Sequence, residues 1–357
     1  MSEAVAGRAS RRLTGIDGFL WLLRIVLIGA IAIGAFNSLA SGRLSGQDWR
    51  NLIVFGIAQG SVYALIALGY TMVYGVLRFI NFAHGEVFMI GAMIGFVVAD
   101  PLSRTDFWHE QTVLAVLLVI LAAMVASTTV ALVLERVAYR PLRSAPRLVP
   151  FITAIGASFF LQYAIAGLFG VGFKSYPRVP GLSGAFEFAG FRLLKTQSLV
   201  IVVAALAMAG LYVFIERTKA GRAIRAVSED QETARLMGIN VDRTIALVFA
   251  VGGAMAGIAG VLYGIVFGQV FFFSGFVPGI KAFTAAVLGG IGNISGAMAG
   301  GLVLGSVESV GPSLVLTGLG VPAANQLKDM VAFLTLVLVL IFRPTGILGE
   351  RLAEDRV

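Results

Sequence analysis

The stretch ERTKAGRAIRAVSEDQETARLMGINVDR, running from Glu216 to Arg243, is a charged island between two long apolar runs. Nothing obliges such an apolar chain to carry this segment unless something on the aqueous side must grip it. Its centre, Glu232-Thr233-Ala234 followed by Gly238-Ile239, has the spacing of a helix–turn element. The island is therefore a candidate socket for a soluble partner.

Outward from the island, apolar runs of roughly 20 residues recur along the whole chain, the length that crosses about 30 Å of hydrocarbon as helix. The chain is 58% hydrophobic and only 13% charged, whereas soluble domains carry about 25% charged residues. Closed barrels are the other structure that can span a bilayer. They would show alternating segments of about ten residues, and this chain has none. The composition predicts an all-α, polytopic membrane protein. The formal charge of +8 reflects basic inter-helical segments under the positive-inside bias, not a nucleic-acid surface. With 0 Cys, disulfides, thiolate catalysis and Cys-based metal sites are excluded. The two histidines, His84 and His109, form no HExxH pair, so no metal site is expected. No GxxxxGK[ST] loop is present either, so this chain does not hydrolyse ATP by that route.

The first apolar run spans roughly 18–40 and follows Arg8, Arg11 and Arg12. Ser38-Leu39-Ala40 resembles a signal cleavage site, but the run is long for a signal core and reads as an uncleaved anchor. Further runs lie at about 52–76, 80–99, 112–134, 150–171, 197–215, 244–268, 283–311 and 327–342. Arg136, Arg140, Arg143 and Arg147 mark one cytosolic segment. Arg217, Lys219, Arg222, Arg225, Arg235 and Arg243 mark the island as another. The tail, with Arg343, Arg351 and Arg356, belongs on the same side, which requires an odd number of crossings after 244–268. The run 283–311 carries GGIGNISG near its middle, where glycine and Asn-Ile-Ser turn chemistry break a helix. It reads as a re-entrant pair of half-helices or two short passes, the kind of broken element tolerated where it lines a cavity or is buried in protein. The expected count is eight full spans plus this element, within a range of 8–10.

Small residues recur every fourth position at Gly252, Ala256, Gly260, Gly264 and Gly268, and again at Gly292, Gly296 and Gly300. Such ridges let helix backbones approach closely. In the span after Gly56, the residues Gln59, Tyr63, Tyr70 and Tyr74 share one face, with Gly56, Gly60 and Ala64 read as the opposite, close-packing face. Asn81, His84 and Glu86 follow. Ionisable groups at membrane depth face a cavity or a partner, so these residues are candidates for a translocation path. The bland reading of His84 and Glu86 is a mutual or backbone hydrogen bond that pins a bend. Catalysis would need a nucleophile and an oriented base, neither of which is signalled. Lys281 reads as a boundary charge and Glu308 as a cap or boundary charge. Gly172 to Gln197, with Phe271-Phe272-Phe273, forms an external platform, for which aromatic anchoring at the interface is the simpler account.

Several ordered blocks carry a resemblance. GIAQGSVYALIALGYTMVYGVLRFINFAHGE, ERVAYRPLR, FITAIGASFFLQ, GRAIRAVSED with ARLMGIN, KAFTAAVLGGIGNISGAMAGG and RPTGILG resemble the permease subunits of bacterial branched-chain amino acid ABC importers, of the H type. The resemblance covers 51–349. It implies a permease domain at 51–349 with a coupling loop at 216–243, preceded by an N-terminal extension at 1–50 and followed by a cytosolic tail at 350–357. It also implies a bacterial inner-membrane location, a second related permease subunit, two cytosolic ATPase subunits holding ATP and Mg, and an external solute-binding protein. No cofactor would be bound by this chain. In this resemblance Glu232, Thr233, Ala234, Gly238 and Ile239 form the ATPase-coupling element, with Thr233 replacing an alanine of the family pattern. Gly238 permits a sharp helix exit. The competing expectations are a sister permease for urea or short amides, and an ATPase-independent secondary transporter or channel, which would show inverted repeats and paired intramembrane charges.

Overall fold

The computed structural model describes residues 15–349 apart from 144, 147, 189, 190 and 344. The expectations placed on Arg8, Arg11, Arg12, Arg147, Arg351, Arg356 and the tail 350–357 lie outside the described residues. Helix follows helix: α1 (Gly15–Ala40), α2 (Gly46–Leu77), α3 (His84–Leu102), the short α4 (Asp106–Glu110), α5 (Thr112–Val133) with a π-helical extension over Leu134–Tyr139, and α6 (Leu148–Phe169). Three small strands follow, β1 (Lys174–Ser175), β2 (Ala185–Phe188) and β3 (Phe191–Leu194). Then come α7 (Lys195–Arg217), α8 (Lys219–Glu229), α9 (Gln231–Leu236), α10 (Val241–Phe267), β4 (Gln269–Val270), α11 (Phe276–Gly289), α12 (Ile294–Gly311) and α13 (Lys328–Phe342).

Among the described residues, nine helices are long and apolar enough to cross a membrane, and α11 is a tenth, shorter apolar helix. The element expected to be broken thus resolves into a half-length α11 and a full-length α12, at the upper end of the expected count. The break lies at 290–293, within GGIGNISG. Gly292 takes φ 96°, a left-handed value that glycine adopts without penalty. The Asn293 side chain then accepts from the Gly296 N–H and starts α12. Gly292 is therefore a turn residue with no neighbour close to its missing side chain, and its place in a packing ridge is corrected.

Gly268, which ends α10 at φ 69° with nothing close to it, leaves the ridge as well, whereas three other predicted packing glycines touch neighbouring backbones. Gly252 faces Gly69 of α2, Gly260 lies against Phe88, Gly91 and Ala92 of α3, and Gly296 lies against Gly289 of α11. A Cβ on Gly60 would sit 2.8 Å from the Gly301 carbonyl oxygen, and one on Gly305 would overlap the Gly60 backbone. Helices that must associate without a solvent-driven term do so through such contacts. Gly56 and Gly60 are not opposite Gln59 and Tyr63, because both sets turn toward α12. Positions three and four apart share one helix face, so close packing and polar contact occupy the same side.

Burial ranks the helices. In α2, α3 and α10 most of the membrane-length window is buried, whereas in α1 and α13 only 6% is. The first group forms the core and the second presents apolar side chains outward. Through Ser38 Oγ, α1 donates to the Ser313 carbonyl at 2.8 Å, close to where Gly34 meets Val315. The capping box of Ser45 and Asp48 starts α2, so residues 46–50, assigned from sequence to the extension, belong to the first core helix.

Contacts between loops define the two ends. Arg140 and Arg143 both reach Asp242, at 2.5 and 2.6 Å, joining the basic turn after α5 to the island. Ile347 and Leu348 donate to the carbonyls of Leu288 and Gly289, which brings the segment after α13 to the end of α11. At the other end β1 pairs antiparallel with β4, and β2 with β3. The basic end is the cytosolic one.

Candidate functional site

The island folds into a capped hook. Thr218 opens α8 by accepting from the Gly221 N–H at 2.9 Å. Asp230 opens α9 by accepting from the Thr233 N–H at 2.7 Å, and that backbone hydrogen bond holds the Asp230 carboxyl below the usual carboxylate range. At the other end of α9, Ile239 N–H donates to the Ala234 carbonyl and Gly238 N–H to that of Arg235, each at 3.0 Å. This is a Schellman closure with Gly238 in the left-handed region at φ 83°. Asn240 caps α10 by accepting from the Arg243 N–H. Four caps within one island leave little freedom to the connecting turns.

The structure brings all five predicted coupling residues together. Ala234 is the inward anchor of α9, Glu232 and Thr233 are exposed on its first turn, and Gly238 and Ile239 form its exit. At the tip, Leu236 and Met237 are 88% and 78% exposed. Sequence reasoning passed over this pair, although two large apolar residues beside a charged turn were there to be noticed.

The six predicted path residues are all buried, but they divide among separate clusters. In the first, Gln59 Nε2 donates to the Tyr63 hydroxyl at 2.6 Å and to Glu308 Oε1 at 2.8 Å. Lys281 Nζ donates to the same Glu308 oxygen at 2.6 Å and to Asp329 at 2.7 Å. Lys281 is thus a buried ion-pair partner and not a boundary charge, and it ties α11 to α12 and α13. In the second cluster, Glu86 accepts from Gln162 at 2.7 Å and Ser158 at 3.2 Å, both on α6. Its other oxygen is buried with no partner among the described residues. In the third, the Tyr139 hydroxyl donates to Asn81 at 2.5 Å. Tyr70 and His84 meet edge to face with ring centroids 5.0 Å apart, and His84 sits against the backbone of Gly69. His84 and Glu86 do not bond each other.

Missed residues share a pattern. Ser158 and Gln162 are single polar residues in an apolar run and Tyr139 lies within a basic turn, and only the fold reveals what they face. Arg78 is another: it closes α2 at φ 56° and reaches the Ser228 carbonyl at 2.6 Å.

Membrane-length helices packed through glycine, with a rigid polar hook at the cytosolic end, define the chain as a multi-pass transport subunit. Residues 52–340 match the family described as the branched-chain amino acid transport system permease component, and the chain belongs to that family. It is 46% identical over 303 residues to the high-affinity branched-chain amino acid transport system permease protein BraD of Pseudomonas aeruginosa, covering 84% of this chain and 95% of that one. To the corresponding LivH protein of Escherichia coli K12 it is 44% identical over 298 residues, 83% of this chain and 94% of that one. The family match begins at residue 52, so α1 lies ahead of it. This is a multi-pass protein of the bacterial inner membrane.

Proposed function

We propose that this chain is the non-catalytic permease of an ATP-driven importer for leucine-, isoleucine- and valine-like amino acids. It pairs with a second related permease, two cytosolic ATPase subunits that bind ATP and Mg, and an external solute-binding protein. Because α2 begins at Gly46, we assign residues 46–50 to the permease domain and not to the N-terminal extension.

One observation carries the coupling role: the hook is held rigid by caps while Leu236 and Met237 point away from the chain's own core. An exposed apolar tip rimmed by Glu232 and Arg235 has the character of an interface anchor, buried only when a partner covers it. The translocation path lies between the two permease halves. Glu86, held by Gln162 and Ser158, gains access to it when α6 moves off α3, while Gln59, Tyr63, Tyr70, Asn81 and His84 support its wall from within the bundle.

The test is uptake of labelled leucine by the reconstituted transporter, together with ATP hydrolysis. Gly238→Pro forces a negative φ where the turn needs a positive one, and Glu232→Lys reverses the charge on the first turn. Both variants are expected to insert normally, to lose uptake and to lose transport-linked hydrolysis. Normal uptake by both would overturn the coupling role. Competition by urea but not by valine would overturn the substrate class.

A further inference from the structure

Two helix ends meet beneath the bundle, and each caps the other. The last turn of any helix leaves carbonyls without intrahelical donors. The residue immediately after α2, Arg78, sends its guanidinium to the Ser228 carbonyl in the last turn of α8. Just beyond the end of α8, Gln231 sends its side-chain amide to the Val76 carbonyl in the last turn of α2, at 2.7 Å. Both helix ends carry the negative pole of the helix dipole, and the Arg78 charge sits where that pole is compensated.

The backbone of Arg78 adds an independent observation. Its φ of 56° and ψ of 25° place it in the left-handed region, where a helix exit ordinarily carries glycine. A long side chain retained in that conformation points to a role for the side chain itself. The chain leaving Arg78 leads directly to the buried polar residues. Phe79 packs on Tyr139 at 5.3 Å between centroids, Tyr139 holds Asn81, and α3 begins at His84.

We propose that Arg78 and Gln231 form the joint through which displacement of the α8–α9 hook is passed to the α2–α3 corner. Arg78 is a positioning residue: it binds no solute and no nucleotide. The inference rests on the reading that α9 docks on the ATPases. Without the joint, movement of the hook would be taken up by α8 alone, and the solute-facing half would lag behind ATP hydrolysis.

The experiment uses the assembled transporter in proteoliposomes and measures leucine uptake and ATP hydrolysis on the same sample. Arg78→Gly suits the left-handed backbone, so it removes the whole side chain, guanidinium included, without straining the turn. It is expected to lower uptake per ATP hydrolysed roughly tenfold, within the span of mutational effects on coupling. Gln231→Ala should do the same to a lesser degree. Arg78→Lys, which keeps one charged donor, should recover most of the ratio. A merely structural contact would leave that ratio unchanged at any level of protein. An unchanged ratio in both Arg78→Gly and Gln231→Ala overturns the joint, as does equal loss of uptake and hydrolysis in Arg78→Gly. Leu236→Glu separates the two claims. If that variant transports normally, the docking reading fails. If it is inactive while Arg78→Gly stays fully coupled, only the joint fails.

Discussion

The buried cluster around Lys281 and the hook around Gly238 are both polar, yet they treat their polar groups in opposite ways. In the cluster, one ammonium meets two carboxylates, and Gln59, which also donates to Tyr63, adds a hydrogen bond to Glu308 inside the bundle. In the hook, backbone groups are satisfied by caps while the tip offers Leu236 and Met237 to the outside. The first arrangement pairs its charges within the chain, and the second awaits a partner. A costly polar placement in a membrane protein thus speaks of assembly when the chain leaves it open, and of architecture when the chain closes it.

The strongest test of that contrast removes Lys281. Lys281→Met leaves Glu308 buried without its counter-charge, and losing one partner of a buried pair costs about 3–5 kcal/mol. Thermal unfolding in detergent should show a large loss, and Lys281→Met with Glu308→Leu should restore most of it. A smaller loss is expected from Gly305→Val, whose side chain would meet the Gly60 backbone. Overpacking of that kind costs about 1–3 kcal/mol, readable in the same melting assay. Leu236→Glu should shift stability by less than about 0.5 kcal/mol, as exposed substitutions do, while abolishing co-purification of the ATPases. Persistent co-purification would remove the distinction between the two regions.

The mildest perturbation is acid. The Asp230 carboxyl is held below its usual range by the Thr233 N–H, so the folded hook favours the ionised form. The cap's contribution is therefore full above the unfolded carboxylate pKa and fades as pH falls through the lower, folded value. Proteolysis at 230–240 should accelerate in that acidic window in the parent and should no longer depend on pH in Asp230→Asn.

The fold was largely legible because membrane crossing imposes length, composition and sidedness on a one-dimensional string. The hook was legible for a related reason: Gly238 and the charges around it mark a turn that nothing apolar nearby can account for. The polar clusters were less so. Gln59 and Tyr63 stood out as a polar helix face and Glu86 as an expensive placement, but the partners Glu308, Gln162 and Ser158 come from helices far along the chain. No local period encodes such pairings. Lys281 was misplaced for the same reason, since its burial depends on α12 and α13 closing over it. The glycine at 292 misled because fourfold spacing continues across a turn as readily as along a helix.

The glycine contact between α2 and α12 has a mechanical consequence. Main chains pressed against each other leave no side chains that could rearrange to let one slip past the other, so the pair tilts as a single plank. The contact runs from Gly56 to Ala64, and α2 continues unbroken to Leu77, roughly 30 Å from Gly56 at helical rise. A nudge at its inner tip is therefore felt undiminished at its far edge, near the surface where solute first arrives.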